Sequence, residues 1–263
     1  MGYLELSKQE LEKEYGNLVK RFEEFKGMGL NLNMARGKPS KEQLDFSLPM
    51  LDTINSKSDF IGEDKMDCRN YGLLNGITEC RKLFADILGV DAENVIVGGS
   101  SSLNMMFDTI SCFMTAPAVE GCKPWYEVKN RKFLCPVPGY DRHFGITQYY
   151  GFELIPIPMD DNGPDMDMVE RLVSEDDSIK GIWCVPKYSN PAGTTYSDEV
   201  VKRFAALKPA AKDFRIMWDN AYCIHEISDT PDVLLNIMDE CKKTGNEDLP
   251  ICLLYTSPSP RDA

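Results

Sequence analysis

Apolar and polar residues along this chain form patterns that predict helices and strands in alternation. Near the amino terminus, Ser7 is followed three residues later by Glu10, and apolar residues then recur at helical spacing to about Gly27, which predicts a capped amphipathic helix. From residue 76 onward, helical patterns alternate with short apolar runs that predict strands at 95–97, 133–135, 152–157, 182–185 and 214–218. This alternation predicts parallel β-α-β units and therefore a three-layer α/β fold with a mainly parallel sheet.

The helical patterns between these strands begin near residues 77, 103, 140, 166, 197 and 233. Ser197, followed by two acidic residues, is a good amino-terminal cap for one of them.

Two polar motifs follow two of the predicted strands. Asn190 opens an Asn-Pro-Ala-Gly sequence, while Asp219 and Tyr222 belong to an Asp-Asn-Ala-Tyr sequence. Open α/β sheets bind their ligands at the carboxyl ends of the strands. An amide, a carboxylate and a phenol at that edge suit an aromatic heterocycle with a ring nitrogen and a phenolic oxygen, such as pyridoxal phosphate. Each motif alone is equally typical of a turn or a helix cap.

Two further motifs carry candidate chemistry. Gly99, Ser100 and Ser101 lie between a predicted strand and a predicted helix, where free backbone N–H groups and hydroxyls suit a phosphate. A serine-rich helix cap without a ligand is the alternative. Tyr140 offers a flat face for ring stacking, and His143, about one helical turn later, is placed to reach a carboxylate behind that ring. A packed aromatic residue and a structural histidine are the alternatives there.

Composition narrows the classes of function. The 263 residues are 43% hydrophobic and 27% charged, which is typical of a soluble globular protein, and the net charge of −13 opposes binding to nucleic acid or to anionic membranes. The first ten residues lack the apolar segment of a signal peptide, so we expect a cytoplasmic protein. Nine cysteines, none in C-x-x-C spacing and most in apolar segments (Cys112, Cys135 and Cys184 among them), predict reduced, buried thiols rather than a zinc site or disulfides.

The four motifs and their order along the chain resemble those of the class I aminotransferases, which belong to fold type I of the pyridoxal-phosphate enzymes. The resemblance extends from about residue 31 to about residue 251, and residues 35–40 and 70–76 are similar to a bacterial aspartate aminotransferase subgroup. It implies a homodimeric enzyme that uses pyridoxal phosphate to transfer an amino group between an amino acid and a 2-oxo acid. Aspartate is the expected amino acid.

The resemblance also implies a role for each motif residue. Asp219 keeps the ring nitrogen of the cofactor protonated, which makes the ring an electron sink, and Tyr222 contacts the phenolic oxygen. These two are the expected catalytic residues. The residues expected to contact the cofactor are Gly99, Ser100, Ser101, Tyr140, His143, Asn190, Asp219, Tyr222 and, from the neighbouring subunit, Tyr71.

On the substrate side, the resemblance places Gly37 over the substrate and pairs Arg36 with a substrate carboxylate, although a solvated surface arginine is equally compatible. The family's Schiff-base lysine lies in a Ser-x-Ser-Lys type segment after the aspartate motif, and this sequence has no such segment. Lys187 precedes the Asn190 motif and is not expected to replace it. We therefore expect this chain by itself to be catalytically inactive.

The resemblance divides the chain into three parts. Residues 1–45 are expected to be a helix and arm of a small domain, and residues 46–251 a large cofactor-binding domain that is incomplete at its carboxyl end. Residues 252–263 read CLLYTSPSPRDA, which matches read-through of a sequencing adapter; a native Ser/Pro tail is the alternative.

Other functions stay open on the sequence alone. A pyridoxal-phosphate lyase would use the same scaffold, and the groups that choose between the reactions lie on the substrate side. The aminotransferase-like sensor domain of a transcription regulator would need a winged helix-turn-helix upstream, where residues 1–30 predict a single acidic helix. A non-catalytic protein is a further alternative if the tail is native.

Overall fold

A computed structural model describes residues 2–32, 39–226 and 228–254 of the chain. The chain divides into two compact units that part after Thr53, a little beyond the boundary at residue 45 that the sequence predicts. The first unit contains helix α1 (Lys8–Gly27) and the short helix α2 (Lys41–Asp45). The second unit contains the sheet. Assignment of the first unit to a small domain stays a prediction.

Helix α1 begins and ends where the apolar pattern predicts. Its capping box is formed: Ser7 Oγ accepts a 3.4 Å hydrogen bond from the Glu10 N–H, and Glu10 Oε2 accepts a 2.8 Å bond from the Ser7 N–H. The apolar residues of the helix are all solvent-exposed, with Tyr15 at 70% and Phe22 at 64%. Its capping box and its backbone hydrogen bonds stabilise the helix locally.

The second unit is built on a six-stranded sheet, which confirms the predicted α/β fold with a mainly parallel sheet. The strand order is β3-β2-β1-β4-β5-β6, and every neighbouring pair is parallel except β2 with β3. The strands are β1 (Lys132–Val137), β2 (Glu153–Asp160), β3 (Gly163–Pro164), β4 (Ile179–Cys184), β5 (Arg215–Asp219) and β6 (Pro250–Leu253).

Helices cover both faces of this sheet, since two separate apolar cores flank it. The helices of this unit are α3 (Thr78–Leu88), α4 (Ser102–Thr115), α5 (Asp141–Tyr149), α6 (Met166–Glu175), α7 (Asp198–Ala205) and α8 (Ile237–Thr244). One core joins residues of α6, α7 and α8 to the sheet around Phe204 and Trp218. The other joins residues of α4 and α5 to the sheet around Trp125, Phe133 and Trp183.

Two of the predicted elements differ from the structure. Within the described part of the chain, residues 95–97 do not form a strand; the Val97 N–H donates a 3.0 Å hydrogen bond to the Asn75 carbonyl oxygen. Helix α8 begins at Ile237 rather than near residue 233, because the Asn236 side chain caps it by accepting from the Met238 N–H. Apolar composition predicts burial, but pairing and capping decide the boundaries.

The sheet extends past residue 252, where the sequence predicts the tail to begin. That residues 252–263 are a non-native tail stays a prediction. Strand β6 continues through Cys252 and Leu253, which lie opposite Trp218 and Asp219 of β5. The first residues of the predicted tail therefore belong to the sheet. Residues 255–263 lie outside the described residues.

The cysteines are unpaired, but most are less buried than predicted. Cys135, Cys184 and Cys241 are buried, Cys68 and Cys112 are exposed, and the other four are partly buried. Burial raises the pKa of the Cys135 thiol to about 12, which makes it a poor nucleophile. Among the residues that the structure describes, no helix is long and apolar enough to cross a membrane.

Candidate functional site

Asp219 is the last residue of β5 and lies at the carboxyl end of a fully buried strand. Its Oδ2 lies 3.0 Å from His143 Nε2, and the two residues are 6% and 1% exposed. Its Oδ1 is buried and has no hydrogen-bond partner among the described residues. Buried carboxylate oxygens are almost always hydrogen-bonded, so this oxygen marks a place for an N–H or O–H donor.

His143 reaches Asp219 because α5 begins immediately after β1. The turn between them passes through Gly139, where an added Cβ would lie 2.3 Å from the Pro136 carbonyl oxygen, so only glycine fits. His143 lies in the first turn of α5. Its ring meets the Tyr140 ring edge-on, with centroids 5.0 Å apart. The structure thus brings together the tyrosine, histidine and aspartate that the sequence predicts for one site.

Asn190 lies in a closed turn after β4. Ser189 N–H donates to the Thr194 carbonyl at 2.8 Å, and Gly193 has a φ of +75°, which the turn requires. Asn190 lines a small cleft together with Tyr140 and His143. Asn190 therefore lies beside Tyr140 and His143 at the carboxyl edge of the sheet, as the sequence predicts.

Gly99, Ser100 and Ser101 do not line the cleft of Tyr140, His143 and Asn190. Ser101 Oγ accepts a 3.4 Å hydrogen bond from the Asn104 N–H and so caps α4, which is the structural alternative that the sequence left open. Ser100 is exposed, and with Gly99 it lines a separate cavity of about 590 Å³ between residues 94–98 and β6. A capping serine keeps its hydroxyl proton, so the cap leaves a donor available for an anion.

The remaining predicted residues do not converge on the cleft of Tyr140. Tyr222 is 36% exposed, and its ring lies edge-on to that of His225, 6.2 Å away. Tyr71 is 92% exposed. Arg36 and Gly37 lie outside the described residues.

Lys187, which is not expected to act as the Schiff-base lysine, has a structural partner that the sequence does not predict. Its side chain is buried, and its Nζ lies 3.0 Å from Glu226 Oε1. Asn220 Oδ1, like Asp219 Oδ1, is buried without a partner among the described residues. Lys187 could be linked to the site because it lies three residues before Asn190, whereas no local sequence pattern indicates Glu226.

Trp183 and Thr147 were also missed. The Trp183 indole stacks on the His143 ring, with centroids 4.6 Å apart and an interplanar angle of 18°. Its Nε1–H lies 3.3 Å from Thr147 Oγ1. Both residues belong to apolar or helical stretches, where a core role is the ordinary expectation.

Comparisons with known proteins agree with the motifs. An aspartate aminotransferase of Corynebacterium glutamicum is 46% identical over 230 residues, which cover 88% of this chain and 53% of that protein. A putative aminotransferase of Mycolicibacterium smegmatis is 40% identical and covers 98% of this chain and 60% of its own length. The chain thus spans little more than half the length of these relatives.

A solved structure shows the same fold. The crystal structure of an aspartate transaminase from Corynebacterium glutamicum superposes with a TM-score of 0.85 at 42% identity, covering 95% of this chain and 58% of that one. The sequence profile of the aspartate amino-transferase family matches residues 6–259. Since this match covers almost the whole chain, the chain belongs to the aspartate amino-transferase family.

Proposed function

We propose that this chain is part of a pyridoxal-phosphate-dependent aminotransferase and that Asp219 receives the ring nitrogen of the cofactor. The observation that carries this proposal is the buried Asp219 Oδ1, which has no partner among the described residues while Oδ2 is held by His143. A protonated pyridine nitrogen is a single donor of the kind that this oxygen needs. The residues present therefore fit the cofactor.

When bound, pyridoxal phosphate supplies an electron sink for the bonds at the α-carbon of an amino acid. Asp219 would hold the proton at the ring nitrogen, because a carboxylate in a site with little water favours a charged partner. His143 would hold the carboxylate in place from behind. Tyr140 would cover a face of the ring, and Asn190, across the same cleft, would donate to its phenolic oxygen.

Residues at the start of α4, beside the second cavity, would hold the phosphate. The exposed Ser100 hydroxyl, the Ser101 hydroxyl and the Gly99 N–H lie at the start of α4, where the helix dipole favours an anion. Tyr222 would reach the phenolic oxygen. In the proposed homodimer, Tyr71, which is highly exposed, would contact the cofactor phosphate of the other subunit.

Aspartate is the proposed amino-acid substrate, supported by the similarity to two Corynebacterium glutamicum proteins named as aspartate aminotransferase and aspartate transaminase. The same comparisons favour a transaminase over a lyase or a sensor domain. Arg36 and Gly37 remain the predicted substrate contacts, and a cytoplasmic location remains a prediction. The sequence has no Ser-x-Ser-Lys type segment, and Lys187 is ion-paired with Glu226, so we propose that this chain binds the cofactor without catalysing transamination.

Titration of the purified chain with pyridoxal phosphate tests this proposal. Cofactor absorbance and quenching of tryptophan fluorescence report binding, and we expect Asp219→Ala to weaken it at least about tenfold. Asp177→Ala, which removes an exposed carboxylate outside the site, is the matched control and should leave the affinity unchanged. Equal affinity of the wild-type and Asp219→Ala chains would show that Asp219 does not meet the cofactor.

Substrate choice needs a second measurement. We expect aspartate to change the absorbance of the bound cofactor more than a panel of neutral and aromatic amino acids does. No response to any dicarboxylic amino acid would argue against aspartate while leaving the cofactor proposal in place.

A further inference from the structure

We propose that Trp183 and Thr147 are positioning residues that hold the His143 imidazole in the orientation from which it bonds Asp219. This inference rests on the proposed function in one respect, namely that Asp219 is the group that meets the cofactor. Neither Trp183 nor Thr147 belongs to any of the motifs that identify the site. Both act through His143.

The first contact is the stack between Trp183 and His143. Trp183 lies in β4 and His143 in α5, and the two rings are almost parallel with centroids 4.6 Å apart. The residues are 2% and 1% exposed, so no water replaces this contact. A buried ring against one face of the imidazole opposes rotation of the imidazole out of that plane.

The second contact fixes the indole itself. Trp183 Nε1–H lies 3.3 Å from Thr147 Oγ1, and Thr147 lies one helical turn after His143 on α5. The Thr147 hydroxyl donates in turn to the Phe144 carbonyl at 3.2 Å, which leaves a lone pair for the indole N–H. Helix α5 thus carries the His143 imidazole and, through Thr147, also holds the Trp183 indole that covers it.

These contacts decide which carboxylate oxygen faces the cofactor. With the imidazole plane fixed, Nε2–H points at Asp219 Oδ2, and Oδ1 is the oxygen left without a partner among the described residues. An imidazole that could swing would release Oδ2 as well, and the carboxylate could then rotate. Trp183 and Thr147 therefore select Oδ1 as the acceptor for the ring nitrogen.

Nitrogen-15 NMR of the purified chain without cofactor tests the proposal, because the sequence contains only two histidines, His143 and His225. We expect a His143 Nε2–H resonance that exchanges slowly with water. Thr147→Val leaves the indole N–H without its acceptor, and Trp183→Leu removes the stack; each should accelerate this exchange at least about tenfold. Thr147→Ser keeps the hydroxyl, so the His143 Nε2–H should exchange as slowly as in the wild type.

Trp125→Leu is the control for general loosening of the core. Trp125 is buried in the same apolar core, but its ring contacts are with Phe113, Phe133 and Phe152. Equal acceleration in Trp125→Leu and Trp183→Leu would overturn the proposal. If Trp183→Leu fails to fold, as judged by far-ultraviolet circular dichroism, comparison of Thr147→Val with Thr147→Ser decides.

The test separates this inference from the proposed function. Slow His143 exchange that depends on Thr147, in a chain that does not bind pyridoxal phosphate, would support the positioning role and refute the cofactor assignment. Cofactor binding that depends on Asp219, with His143 exchange unaffected by Thr147→Val, would refute the positioning role alone.

Discussion

Lys187 donates a 3.0 Å hydrogen bond to Glu226 and so joins the loop after β4 to the segment after β5. The lysine side chain is 6% exposed and the glutamate side chain 39%. The Tyr188 hydroxyl donates to the other carboxylate oxygen at 3.2 Å. The contact therefore ties the loop that carries Asn190 to the segment that carries Tyr222.

The two partners should not be equivalent in a stability measurement. Glu226→Ala leaves a buried ammonium without a counter-charge, and we expect it to lower the free energy of unfolding by about 2 kcal/mol, discounted for the exposure of the glutamate. Lys187→Met leaves a carboxylate that water can reach and should cost less than about 1 kcal/mol. Urea denaturation measures both, with Tyr188→Phe as the control that removes only the second hydrogen bond. A larger cost for Lys187→Met would contradict the asymmetry.

A second buried ion pair lies away from the site. Lys180 Nζ lies 2.7 Å from Asp213 Oδ1, and Asp213 Oδ2 accepts a 2.9 Å bond from Trp125 Nε1–H. Asp213→Ala leaves both donors buried and unpaired, so we expect it to lower the free energy of unfolding by about 3 to 5 kcal/mol.

The double variant Lys180→Met/Asp213→Asn keeps an acceptor for the Trp125 indole and removes both charges. In thermal or urea unfolding it should cost less than the sum of the single variants Lys180→Met and Asp213→Asn, because the two charges are coupled. Additive costs would mean that the two charges do not interact.

Stability should depend on pH through Asp176. Burial of this carboxyl opposes its ionisation, but hydrogen bonds from Lys132 Nζ and from the Ser178 hydroxyl and N–H outweigh burial and lower the pKa from 3.8 to about 2. Because the folded-state pKa lies below the ordinary value, the stabilisation is present above about pH 4 and is lost as the pH falls through about 2.

Asp176→Asn isolates this contribution. After allowance for partial exposure of both side chains, we expect the variant to be about 1 to 2 kcal/mol less stable than the wild type at neutral pH, with the difference shrinking as the pH falls below about 4. Urea unfolding at several pH values measures the difference. A difference that does not change with pH would show that the ionised carboxylate is not responsible.

Gly181 allows β4 to pack closely against its neighbours. A Cβ at this position would lie 2.6 Å from the Phe133 ring and 2.7 Å from the Arg215 carbonyl oxygen. Since the backbone oxygen cannot move aside, we expect Gly181→Ala to lower the free energy of unfolding by about 1 to 3 kcal/mol.

Gly145 provides the matched control. It lies in α5, and an added Cβ there meets no atom within 4 Å. Gly145→Ala should therefore raise stability by about 0.5 to 1 kcal/mol through helix propensity. Thermal unfolding of both variants measures the contrast, and equal effects would contradict the packing argument.

Much of the fold could be predicted because it depends on local sequence patterns. The Ser7 cap, the apolar run that becomes β5 and the alternation of helix and strand all depend on neighbours a few residues apart. The strand predicted at residues 95–97 failed for the opposite reason: a strand needs a partner, and a short apolar run does not specify one. Helix α8 begins late because the side chain of Asn236 decides its start.

The sequence by itself determined the residue types of the candidate site and their order along the chain, because Tyr140, His143, Asn190 and Asp219 stand in recognisable motifs after buried strands. Only the tertiary structure decided which Asp219 oxygen is held by His143, that Trp183 covers the imidazole, and that Glu226 binds Lys187. These contacts join elements distant in sequence. Their geometry depends on how α5 and the loops pack onto the sheet, which no local pattern encodes.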